Sequence, residues 1–247
     1  MSDRLPMSRG SRCRPQYDQL TCPLAPRTPM NPSDIEKQAA AVAAAELVES
    51  GMKLGLGTGS TVAFLLQALA DRAIDVECVS TSPQTEKIAR ELGLNVSSFA
   101  GLDGVAHLDM AIDGADQVDP AGWIIKGGGA AHTREKCVAA AADRFIVIVS
   151  SEKLVPALTA PLPLELLDYG LAATLRALGT VSLRDVPRSP DGGVIADWLG
   201  SLDDPASLAA RLSATPGVID HGLFSPDMTE RVVVAEGTTT RHIMINA

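Results

Sequence analysis

No apolar run in this 247-residue chain approaches the length needed to cross a bilayer, which excludes a helical membrane protein. Positive charge is also in short supply. Lys and Arg number 21 against 30 Asp and Glu, a net charge of −9 with a pI near 4.9. Nonspecific attraction to nucleic acid or to an anionic membrane is thereby excluded, and an anionic ligand needs a local cluster of donors to overcome the field. Cysteine is sparse: Cys13, Cys22, Cys78 and Cys137 form no CxxC pair. Neither metal-type spacing nor a disulfide framework is supported, and a reducing, cytoplasmic setting is expected. Aromatics are only 3%, while Ala is very frequent. The rest, 46% apolar with 21% charged, is ordinary for a globular chain long enough for one large domain or two smaller ones.

Residues 1–29 lack any apolar period and hold five Arg and five Pro. They are expected not to fold on their own, as part of a disordered extension over residues 1–32, or to precede a true start at Met30. The absence of an apolar h-region excludes a secretory signal, and the prolines argue against an amphipathic transit helix.

Order begins at Ser33, where "SDIE" reads as a capping box with Glu36 as its second member. Ile35, Ala39, Val42, Ala43 and Leu47 then recur at helical spacing until Gly51. Short apolar strands alternate with helices from there to "RFIVIVSSEK", which predicts a parallel α/β sheet with ligands at the carboxyl ends of its strands. The pattern changes near "TAPLPLELL". Strands over 162–167, 180–186, 194–198 and 218–224, with helices over 169–178 and 205–214, give the β-α-β-β-α-β order of a ferredoxin-like unit. The last two strands return to the first sheet. The expected organisation is a domain of residues 33–160 plus 228–247, with residues 161–227 inserted.

Three loops carry chemistry. "GLGTGST" lies between a strand and a helix, where backbone N–H groups and the Ser60 and Thr61 hydroxyls face an anion. It is not a dinucleotide fingerprint, because Ser60 stands where a third glycine is required and the second strand ends in "STS" rather than in an acid. "DGAD" places Asp113 and Asp116 three apart, either as a proton-transfer pair or as turn caps. "KGGGAAHTREK" runs Lys126, expected to be a mobile positive charge, into three glycines whose amides can touch a polar ligand. Glu135 follows in the first turns of a helix, with the dipole, Arg134 and Lys136 expected to keep it ionised. His132 is expected to be exposed at the helix start, and Trp123 and Trp198 to be core. No metal site is expected.

Together, "GLGTGST", "TSPQTEKIARELG", "DGAD", "KGGGAA-TREK", "PLPLEL" and "PGVIDHGLF" resemble ribose-5-phosphate isomerase, type A, over about residues 33–247. The resemblance implies a Rossmann-like parallel sheet domain with an inserted α+β ferredoxin-like lid domain, in homodimers or homotetramers. It also implies interconversion of ribose 5-phosphate and ribulose 5-phosphate without metal or organic cofactor. By matching position, Glu135 is the base and Asp113 the candidate for ring opening, with Lys126 as oxyanion partner. Substrate would lie against Thr58, Gly59, Ser60 and Thr61, against Asp113, Gly114, Ala115 and Asp116, and against Lys126, Gly127, Gly128 and Gly129, assisted by Lys153 and Lys37. Three positions depart from the family pattern: Gln117 for Glu, His132 for an apolar residue, and Gly193 for Asn. The alternative from another class is a sugar-phosphate sensor without turnover. Such sensors carry a DNA-binding helix-turn-helix, for which residues 1–32 are too short and too rich in proline.

Overall fold

The computed structural model describes residues 30–246, so what was expected of residues 1–29, Cys13 and Cys22 among them, lies outside the described residues. The first helix, α1 (Pro32–Ala45), starts one residue before the expected cap. Asn31 caps it by accepting the Asp34 N–H at 2.8 Å, and Pro32 occupies the first position, where its missing N–H costs nothing. The capping box is therefore not made. The Glu36 carboxylate accepts instead from Ser151 N at 3.0 Å and Gly237 N at 3.1 Å, tying α1 to two distant loops.

The chain then runs β1 (Lys53–Leu56), α2 (Ser60–Arg72), β2 (Glu77–Ser80), α3 (Pro83–Glu91), β3 (Asn95–Val96) and β4 (Met110–Gly114). Next come β5 (Gln117–Val118), β6 (Ile124–Ile125), α4 (His132–Ala140) and β7 (Phe145–Ser150), which ends in a 3-10 turn over Ser151–Lys153. The inserted stretch is β8 (Leu162–Leu166), α5 (Leu171–Leu178), β9 (Val181–Leu183), β10 (Val194–Trp198), α6 (Pro205–Ser213), β11 (Val218–His221) and β12 (Leu223–Phe224). A hairpin of β13 (Arg231–Glu236) and β14 (Thr239–Met244) closes the chain.

The seven-stranded sheet has the order β14-β13-β7-β4-β1-β2-β3, all parallel except β14. Alternation along its strands divides the core. Ile112, Ile146, Ile148 and Val233 face a cluster with α1 and α2, whereas Ala111, Phe145, Val147 and Val232 face one with Val138 of α4 and Phe224. Strand order reverses between β1 and β4. A crevice therefore opens at the carboxyl ends of these two strands, where the Gly57–Ser60 and Gly114–Asp116 loops begin.

The second sheet has the order β11-β8-β10-β9, every pair antiparallel, with α5 and α6 contributing Leu178, Leu208 and Leu212 to its core. This is the ferredoxin-like arrangement. The strand predicted over 218–224 is broken at Gly222. Gly222 N donates to Pro163 O at 2.8 Å and its carbonyl accepts from Lys126 N at 2.9 Å. Beyond it, β12 joins β6 and β5 in a three-stranded sheet. The end of the inserted unit is thus bonded to the backbone of Lys126.

Candidate active site

The crevice is a cavity of about 240 Å³. The first loop contributes Thr58, Gly59, Ser60 and Thr61, the second Gly114, Ala115 and Asp116. Lys126, Gly127, Gly128, Gly129 and Glu135 line the opposite wall, and Lys37, Glu152 and Lys153 the mouth. Every residue expected to touch substrate is there except Asp113, which lies just behind the wall. Glu152 was not foreseen. Its only sequence signal is its place beside Lys153 after a buried strand.

Asn31, Ser82 and Asp204 cap α1, α3 and α6 with side-chain oxygens, but no side chain among the described residues caps α2. Gly59 stands at its N-cap with φ 109°, so the first N–H groups of α2 face the cavity without a side-chain acceptor. Such a terminus, with Ser60 and Thr61 hydroxyls beside it, is a ready anion site. Thr58 Oγ1 lies 2.7 Å from Thr81 Oγ1, which steadies the loop.

A buried ion cluster forms the cavity floor. Lys126 Nζ lies 2.8 Å from Asp113 Oδ2 and 3.2 Å from Glu135 Oε2, and donates to Gly114 O at 2.5 Å. All three charged side chains are within 4% of full burial. Asp113 Oδ1 also accepts the Thr58 and Gly114 N–H groups at 3.1 and 2.7 Å. The approach of Lys126 to Glu135 Oε2 is an ion pair too poorly directed to count as a hydrogen bond. One ammonium thus faces two carboxylates. Burial, then repulsion from Asp113, pushes the Glu135 carboxyl up to about 8, against the pull of Lys126. Burial also raises Asp113, against Lys126 and its two backbone donors. Burial disfavours the charge on Lys126, but the attraction of Asp113 and Glu135 outweighs it and holds the ammonium above its ordinary range.

Two expectations about these residues are corrected. Arg134 and Lys136 do not keep Glu135 ionised. They point away from it, to Asp191 at 2.7 Å and to Asp220 at 2.5 Å. Nor is Lys126 a mobile cation; Asp113 and the Gly114 carbonyl fix it in place.

His132 is fully buried rather than exposed, and neither ring nitrogen has a partner among the described residues. Burial drives its pKa down to about 4, so the ring is neutral. It supports the glycine loop: Gly127 has φ 105°, and a Cβ there would stand 2.7 Å from His132 Nδ1. Trp198 is buried as expected, while Trp123 is half-buried. Gln117 makes a paired amide contact with the backbone of Thr159, accepting its N–H at 2.8 Å and donating to its carbonyl at 2.9 Å. Gly193 lies against the buried Glu165 carboxylate, with no room there for a Cβ. Glu165 in turn accepts from Ser189 and from Thr133 at the start of α4.

Comparison with known proteins gives a consistent result. A family model described as ribose 5-phosphate isomerase A (phosphoriboisomerase A) matches residues 77–239. The chain is 46% identical to the ribose-5-phosphate isomerase A of Chloroflexus aurantiacus, over 78% of this chain and 86% of the relative. The solved ribose 5-phosphate isomerase A of Neisseria gonorrhoeae superimposes with a TM-score of 0.81 at 31% identity, covering 87% of this chain and 98% of that one. A solved D-ribose-5-phosphate isomerase in complex with phospho-erythronic acid gives 0.79 at 34% identity, covering 87% and 100%. Among the described residues, no helix is long and apolar enough to cross a membrane. The chain belongs to the ribose 5-phosphate isomerase A family.

Proposed function

We propose that the buried Glu135 carboxylate is the base with which this chain interconverts ribose 5-phosphate and ribulose 5-phosphate. The observation that carries the assignment is the buried Glu135 carboxyl at the cavity wall, its Oε2 3.2 Å from Lys126 Nζ and its pKa raised to about 8. A general base works best with a pKa near the working pH. In the open-chain sugar, Glu135 takes the proton from C2, the resulting enediolate places negative charge on oxygen, the hydroxyl proton on O2 passes to O1, and Glu135 returns its proton at C1. Lys126 supplies the positive charge. Its longest and worst-directed contact is the one to Glu135, so this N–H is the one free to turn to the oxyanion.

The phosphate belongs at the N-terminus of α2, against Thr58–Thr61, with Lys37 and Lys153 at the mouth adding charge. Binding energy at that remote group orients the reacting carbons. The relative solved with phospho-erythronic acid is in keeping with this pose, since that ligand joins a planar carboxylate to a phosphate. Ring opening falls to Asp116 rather than Asp113 in this reading. Asp116 rims the cavity, whereas Asp113 is buried behind it with Lys126 and two N–H groups on its oxygens. The relatives described above are named ribose-5-phosphate isomerases, and none of them favours a sensor without turnover.

The remaining expectations belong to the same proposal. The topology supports dividing the chain into residues 33–160 plus 228–247 and residues 161–227, because the second sheet is built wholly within the latter. A homodimer or homotetramer is supported by the unpaired edge of β14, where Met244 is exposed. A cytoplasmic location rests on composition. The reaction needs no metal in this reading: one cluster of metal-ligand type occurs among the described residues, His107, Asp109 and Asp143, and it precedes β4 and β7, at the amino ends of strands whose carboxyl ends carry the cavity. The test is a coupled assay with ribose 5-phosphate after exhaustive chelation. Formation of ribulose 5-phosphate is expected. Activity lost on chelation and restored by a divalent cation would overturn the metal-free route, and no activity under either condition would overturn the function.

A further inference from the structure

Arg184 comes to the site from the second sheet and takes no part in the steps above. It follows β9, and its backbone N–H continues the ladder to Ile195 O at 3.0 Å. Asp197 on β10 holds two of its guanidinium nitrogens, Nε at 3.0 Å and Nη2 on the other carboxylate oxygen. The remaining nitrogen, Nη1, donates to Gly127 O at 3.0 Å and Gly128 O at 3.4 Å. The same peptide unit is held at its other end, because Gly128 N donates to Asp116 Oδ2 at 2.8 Å. One peptide plane is therefore gripped from both sides, its carbonyl toward the second sheet and its N–H toward the cavity rim.

That grip has a purpose in a run of three glycines. Glycine populates both signs of φ about equally, so a peptide between two glycines reorients at little cost. If the Gly127–Gly128 peptide turned over, its carbonyl would replace its N–H beside Asp116 and set a negative dipole against a carboxylate and an anionic substrate. Gly127 is also joined directly to Lys126, so a turned peptide would shift the ammonium on which the enediolate depends.

We propose that Arg184, fixed by Asp197, is a positioning residue that locks the Gly127–Gly128 peptide in the orientation the isomerisation requires. The inference rests on the proposed function, in which this loop meets the substrate. Arginine is required because one planar fork must pair bidentately with Asp197 and still reach a carbonyl; a lysine offers a point charge that cannot do both. In chain order Arg184 lies 57 residues from Gly127, and nothing in its surroundings marks it out in the sequence.

The test compares kcat and KM for ribose 5-phosphate in wild type, R184A, R184K and D197N, at a temperature well below each melting midpoint. Wild-type turnover is measured first; its absence would sink the proposed function, not this inference. Misplacement by about 1 Å costs on the order of 100-fold, so R184A is expected to lose about 10- to 100-fold in kcat with a smaller change in KM. Guanidinium ion at low millimolar concentration should restore part of that rate without raising the melting midpoint, a recovery that a merely structural role would not show. R184K and D197N should lose kcat in the same direction, to a smaller extent. A kcat loss in R184A below about threefold, or a larger one that guanidinium leaves untouched, would overturn the proposal. If R184A does not fold, R184K and D197N decide by the same threefold threshold.

Discussion

Two lysines flank the Phe224 ring, Lys126 buried and Lys136 half-buried, and they have opposite consequences. Lys126 Nζ lies 5.6 Å from the ring centroid and Lys136 Nζ 5.2 Å. Lys136 is neutralised one for one: it binds Asp220 at 2.5 Å and the carbonyl of His221, and burial lowers its pKa despite that partner. Lys126 faces two carboxylates with its single charge. A matched pair is a fastening, here of α4 to β11. An unmatched one leaves a carboxyl that keeps its proton well above the ordinary range, and that surplus is Glu135. Chemistry sits where the charges fail to balance, within one helix of a place where they do.

Exchanging each lysine for methionine separates the two roles. K126M leaves Asp113 and Glu135 facing each other in a buried site, and removal of one member of such a cluster typically costs about 3–5 kcal/mol of stability. Turnover should fall by about 100- to 1,000-fold as well, the loss expected from removing an oxyanion partner. K136M should lower the melting midpoint while kcat drops less than about tenfold, since Lys136 reaches no substrate. Equal losses of kcat in the two variants would erase the distinction.

The next effect is in pH. Below about 8, Glu135 is mostly protonated in the free protein, so kcat/KM should rise about tenfold per pH unit and level off above that value. Stability should move the other way. Because folding raises this carboxyl from an ordinary 4.5, its contribution is fully present below about 4.5 and is lost as pH rises through about 8. E135Q, which cannot ionise, should therefore gain on wild type in melting midpoint between pH 5 and pH 9. A difference between the two proteins that stays constant with pH would contradict the raised pKa.

How far the sequence revealed the site follows from the distances along the chain. "GTGST", "DGAD" and "KGGG" were legible because each works through its own backbone, and each lines the cavity. The alternation of strands and helices was enough for both sheets. What escaped depends on packing between distant segments. His132 is buried because the glycine loop folds over it, Glu36 caps nothing because Ser151 and Gly237 reach it first, and Arg184 finds Gly127 only through the second sheet. The two-residue strands β3, β5 and β6 are too short to carry a period. The raised pKa of Glu135 was the largest miss. Its neighbours in sequence, Arg134 and Lys136, suggested an ionised group, while its neighbours in space withhold that charge.

The most direct measurement is the turnover and the dissociation constant of ribose 5-phosphate on the single variant E135Q. The substitution keeps size and hydrogen-bonding capacity but removes the base. Turnover should fall by about 100- to 10,000-fold, while the dissociation constant changes far less because the α2 terminus and the glycine amides are untouched. Retention of more than about a tenth of wild-type turnover would contradict Glu135 as the base and move the proton transfer to another carboxylate of the site.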